Sequence, residues 1–131
     1  YMIIALLEGE AIKNSEFSTA HIVELKKLNE KFMKSRSSKE KLKLDRLFHQ
    51  KLIEKYPNQY AKKIIEDIRI RVFIYELEFM DEVSTTKSVE MHDKIIDHLQ
   101  AGKKSAAINE LKTNWEISIK HILNAYSTKT P

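Results

Sequence analysis

From Met2 onward, apolar residues return at alternating steps of three and four, the period of an α-helix, in six successive segments. The first, Tyr1 to about Asn14, starts inside an apolar run with no Ser, Thr, Asp or Asn ahead of it, and no initiator Met precedes it. A helix without a cap suggests a cut chain, so the sequence is expected to be the C-terminal part of a longer protein. Ser18 or Thr19 caps a second helix reaching about Lys34, with Ile22, Leu25, Leu28 and Phe32 inward and His21 in a solvated first turn. Ser37 and Glu40 match a capping box that opens a third helix, which Pro57 ends after Tyr56. Asn58 caps a long, central fourth helix with the stripe Ala61, Ile65, Ile68, Val72, Tyr75 and Phe79. The polar piece Asp81 to Lys87 reads as a connection, after which Val89, His92, Ile96 and Leu99 trace a fifth helix up to a stop at Gly102. The sixth runs from Lys104 or Ser105 to Tyr126, with Ala107, Leu111, Asn114 and Ser118 on one flank, Ile108, Trp115, Ile119 and Ile122 on the other, and a frayed tail after Ser127. Six such segments with short loops predict one all-α domain over residues 1–131, an antiparallel bundle. Its third, fifth and last helices surround a central polar or metal pocket, with the fourth beside them.

Composition agrees with this pattern and narrows the chemistry. Two Gly and two Pro in 131 residues are too few for a turn-rich β architecture, and the length suffices for a core without covalent staples. The chain has no Cys, which removes disulfides, thiolate metal sites and Cys nucleophiles. The longest apolar run, Met2 to Leu7, is too short to span a bilayer and lacks the flanks of a signal peptide, so a cytoplasmic protein without membrane contact is expected. The 23 Lys and Arg are interspersed with 19 Asp and Glu, the arrangement of a solvated surface. Even the densest basic piece, Lys34 to Lys43, lacks the aromatics or recognition helix of a nucleic-acid module.

Two polar residues stand where the third helix should be apolar. Leu42, Asp45, His49, Leu52 and Tyr56 follow one another at steps of three, four, three and four, so Asp45 and His49 share the core-facing stripe and lie one turn apart. His92 occupies an equivalent inward position on the fifth helix. Burying an Asp and an imidazole is costly unless each finds a partner. Three such residues on two helices could be a hydrogen-bonded core cluster, or could converge on a divalent metal, for which N and O donors suit Zn²⁺, Ni²⁺, Mn²⁺ or Fe²⁺. Zn²⁺ is slightly preferred. Trp115 reads as core, and His98 and His121 fall off the stripes.

The Asp45-x-x-Phe48-His49 motif, the early Leu7-Glu8-Gly9, the pair Met91-His92 and the Ala101-Gly102 turn followed by Ala106-Ala107 together resemble the FCD domain. That family is the ligand-sensing C-terminal domain of FadR-subfamily GntR transcription regulators, and the resemblance covers nearly the whole chain. It implies a metal held by Asp45, His49 and His92 and by a further His 22 positions on. Here that position is Asn114, a neutral and weaker ligand. Two more positions depart from the family pattern: Ile4 where an Arg is common, and Lys103 where an Asp would cap the last helix. The resemblance also implies a small carboxylate effector, for which Arg69 beside the fourth helix's stripe is the candidate anchor, and a homodimer. Operator DNA would be a partner only through a winged-helix domain that this chain lacks.

The expected function is therefore effector binding and dimerisation within a transcription regulator, with no enzymatic activity. The competing reading is a metal-dependent hydrolase of helical, HD-like type, prompted by the dipeptide His92-Asp93. On a helix, however, Asp93 is rotated about 100° away from His92. A purely structural interaction module is the third reading.

Overall fold

The computed structural model describes residues 2–79 and 82–129, and these are all-α, a compact bundle of six helices with no strand among the described residues. The helices are α1 (Met2–Lys13), α2 (Thr19–Lys34), α3 (Ser38–Leu52), α4 (Gln59–Phe79), α5 (Glu82–Gln100) and α6 (Lys104–Lys129). The local signals act as their chemistry dictates. Ser18 accepts from the His21 amide, Ser37 from the Glu40 amide and Asn58 from the Ala61 amide, so α2, α3 and α4 each begin on a side-chain cap. α5 ends in a Schellman turn, with Lys103 N–H donating to His98 O at 2.8 Å, Gly102 N–H to Leu99 O at 3.1 Å, and Gly102 at φ 75°.

Packing partners follow from the buried stripes. α5 lies against α6 and α2, α1 against α6 and α4, and α3 against α2, α4 and α5. The core includes Ile4, Ile12, Leu25, Phe48, Leu52, Ile65, Ile95, Ile96 and Leu111. α1 approaches α6 at Gly9, where a Cβ would stand 3.1 Å from the Ile108 side chain.

Five expectations need correction. His21 is buried, its Nε2–H donating to Lys51 O at 2.6 Å, so it ties the start of α2 to the end of α3 instead of facing solvent. α3 stops at Leu52, and residues 53–55 form a turn before Pro57. The piece read as a connection is helical from Glu82, because the helix propensities of polar residues such as Glu and Lys are high enough to continue a helix; Asp81 lies outside the described residues. The buried stripe of α4 is Ile65, Arg69, Val72 and Glu76, and Tyr75 is exposed. The side chain of Phe79 lies outside the described residues. α6 continues to Lys129, beyond the expected end.

Candidate metal centre and its buried ion pairs

Asp45 and His49 meet because they are one turn apart on α3, and His92 joins them because α5 packs across that helix. Asp45 Oδ1 lies 2.8 Å from His92 Nε2 and 3.6 Å from His49 Nε2. Ligand atoms of all three lie within 4.8 Å of one another. The 2.8 Å approach is not an aligned N–H···O bond: Asp45 Oδ1 and His92 Nε2 are both buried without a hydrogen-bond partner.

The other ring nitrogens point outward onto fixed partners. His49 Nδ1 lies 3.1 Å from both Glu8 oxygens, and His92 Nδ1 lies 3.1 Å from Asn29 Oδ1. Each imidazole thus offers Nδ1–H to the periphery and Nε2 to the common point, the orientation that outer partners impose on metal-binding histidines. Metal bonds of about 2.0–2.2 Å put neighbouring ligand atoms roughly 3–3.5 Å apart, close to the two separations found here. One carboxylate and two imidazoles fit a borderline divalent cation, and the orphaned pair of atoms fits it independently. The ring planes are held as well: Phe48 stacks on His92 at 3.9 Å between centroids, and Phe32 lies at 5.4 Å.

Behind the centre lies a charged network that sequence reasoning missed. Glu8 is fully buried, yet it receives Arg69 Nη2 at 2.6 Å, Trp115 Nε1 at 2.7 Å and His49 Nδ1. Burial alone would raise its pKa, but His49 and Arg69 outweigh that and hold it below the ordinary carboxylate value. The signal was present: Ile4, Glu8, Ala11 and Ile12 follow helical spacing, so Glu8 lies on the inner face of α1. Asn29 likewise falls on the stripe of Ile22, Leu25 and Phe32.

Arg69 itself is buried. Nη1 holds Glu66 at 2.6 Å, Nη2 holds Glu8, and Nε has no partner. Asn114 is buried on α6 just before Trp115, and no hydrogen bond joins it to Asp45, His49 or His92 among the described residues. Asp93 is exposed and accepts from Asn29 Nδ2, outside the ligand cluster.

Charge within the pocket is finely balanced. Burial and the nearby Asp45 and Glu8 push Glu76 on α4 up to about 8, with His49 opposing. Burial opposes the charge on His49, but Glu8 and Asp45 overcome it and raise this imidazole to about 10. Burial also opposes the charge on Asp45, which His49 and His92 nonetheless hold well below the usual carboxylate range. His92 is lowered, chiefly by burial.

The family model for the FCD domain matches residues 1–114. The chain belongs to the FCD domain family. FCD domains are the ligand-binding domains of GntR-type regulators, and the match contains Asp45, His49, His92 and Asn114. No curated protein and no solved structure matches the chain. Among the described residues, no helix of this FCD domain is long and apolar enough to cross a membrane.

Proposed function

We propose that this FCD domain senses a small organic carboxylate at a divalent metal held by Asp45, His49 and His92, and that it does so as the homodimerising, cytoplasmic half of a GntR-type regulator. The observation that carries this reading is the convergence of Asp45 Oδ1 with two Nε2 atoms whose Nδ1 partners are already fixed. A cation at that point would supply Lewis-acid positions for a carboxylate oxygen. Zn²⁺ is slightly preferred over Ni²⁺, Mn²⁺ and Fe²⁺, and Asn114 is the fourth corner in this proposal.

Arg69 serves as a second anchor through its free Nε–H, since its terminal nitrogens already carry Glu66 and Glu8. A signal passes only when the effector binds one helix arrangement better than another. Here the direct links from the centre run through Glu8 to α1, α4 and α6. Exposed apolar residues on α1 (Met2, Ile3, Leu6) and α4 (Ile70, Ile74, Leu77) support self-association. Operator DNA is reached only through a DNA-binding domain outside these 131 residues. The HD-like hydrolase is disfavoured by Asp93, which is exposed and turned to Asn29.

The test is elemental analysis of protein purified without chelator. It is followed by melting temperature against hydroxy acids, sugar acids and dicarboxylates, in the wild type and in His92→Ala. A metal-dependent stabilisation confined to the wild type supports the sensor. Turnover of a panel member, or specific DNA binding by these residues alone, overturns it.

A further inference from the structure

His92 is presented by an amide whose orientation is decided by two acceptors. Asn29 Nδ2 donates to the Asp93 carboxylate at 2.6 Å and to Val89 O at 3.3 Å. Turned the other way, the amide would set its carbonyl oxygen against those two oxygens. Only one orientation is consistent, and it leaves Oδ1 to meet His92 Nδ1 at 3.1 Å. Asn29 comes from α2, while Val89, His92 and Asp93 share α5, so the contact is also a brace between two packed helices.

We infer that Asn29 is the positioning residue of the centre: anchored by Asp93 and Val89, it fixes His92 as the Nδ1–H tautomer and turns a bare Nε2 lone pair onto the point shared with Asp45 and His49. Free imidazole would distribute its proton over both nitrogens, and a ring carrying Nε2–H would close the position to a cation. The Phe48 and Phe32 rings fix the plane of the ring; of the two acceptors that face it, Asn29 Oδ1 meets Nδ1 as a hydrogen bond, whereas Asp45 Oδ1, though 2.8 Å from Nε2, is not aligned with a proton there, so the acceptor at Nδ1 selects the tautomer. The two imidazoles are thereby served differently: His49 by the anionic Glu8, His92 by a neutral amide that leans on Asp93.

The consequence for metal affinity rests on the proposed metal centre; the tautomer assignment does not. The experiment therefore has two arms. In chelator-treated protein with ¹⁵N-labelled histidine, nitrogen shifts of the ring should show His92 as the Nδ1–H form, and Asn29→Leu should shift it toward Nε2–H or a mixture. In the second arm, Zn²⁺ titrated against a competing chelator should bind Asn29→Leu roughly 10–100-fold more weakly than the wild type, the usual scale for a lost outer partner. Asn29→Asp combined with Asp93→Asn, which keeps an acceptor at Nδ1 and puts an amide donor beside the second oxygen, should restore most of that loss. If the wild type binds no Zn²⁺ but shows the Nδ1–H tautomer, the metal reading fails and the positioning role stands. An Nε2–H tautomer in the wild type, or Zn²⁺ affinity unchanged in Asn29→Leu, overturns it. Should Asn29→Leu not fold, the wild-type spectrum decides.

Discussion

Between two carboxylates, His49 keeps its proton up to about pH 10 when no cation competes for Nε2. Any divalent ion must displace that proton, because an imidazolium has no lone pair to give. Calorimetric titration of Zn²⁺ at pH 7.5, in buffers of different ionisation enthalpy, should therefore show about one proton released per ion bound. Binding without proton release would contradict the placement of Nε2. In the metal-free protein the same raised pKa contributes stability that is fully present below pH 6.5 and lost as the pH rises through about 10. Glu76 acts in a nearer window. Its proton is held from the ordinary 4.5 up to about 8, so the folded state loses relative stability as the pH climbs through that range. Glu76→Gln should stabilise the metal-free protein at pH 8 by up to about 4 kcal/mol, an order-of-magnitude figure from the distance between 4.5 and about 8, with little difference at pH 4.5. Denaturant melts at the two pH values in chelator measure this directly, and equal effects at both would remove Glu76 from the charge balance.

Between helices, the Glu8–Arg69 ion pair ties α1 to α4, and both partners are out of water. Breaking such a pair from one side leaves an uncompensated buried charge, typically about 3–5 kcal/mol. Arg69→Met should fall in that range by chemical denaturation, and Glu8→Gln combined with Arg69→Met should recover much of it; additive losses would argue against coupling. At the end of α5, Gly102→Ala should cost about 1 kcal/mol, since φ 75° is a conformation that L side chains adopt reluctantly. Helix existence was legible here because caps and stripes are local. The errors came where polarity was taken for a loop or for solvent exposure: Glu82 opens a helix despite the polarity of its run, and His21 is drawn inward by a carbonyl thirty residues away.

For the molecule as a whole, the exposed apolar faces of α1 and α4 are where the proposed homodimer would bury area. Ile74 is 61% exposed and central to the α4 set with Ile70 and Leu77. Ile74→Glu should yield monomer in sedimentation with an unchanged helical circular dichroism spectrum, while a dimer persisting in that variant would move the interface elsewhere. The fold and the family did not depend on this surface. Six amphipathic segments define the bundle, and the family model spans residues 1–114.

The sequence alone was enough to identify an all-α bundle and the inward placement of Asp45, His49 and His92, because helical period assigns a face to each residue without any knowledge of neighbours. The same rule, applied to Glu8 and Asn29, puts them on inner faces too, but they were passed over because a buried acid or amide has no meaning until its partner is known. Those partners lie 41, 61 and 107 residues from Glu8 and 63 from Asn29. Only the packing of α1, α4 and α6 put Arg69 onto an internal carboxylate, and only the packing of α2 on α5 chose which nitrogen of His92 faces the centre. Ring orientation and ion pairing are set by distances across helices, and helical period carries no information about those distances.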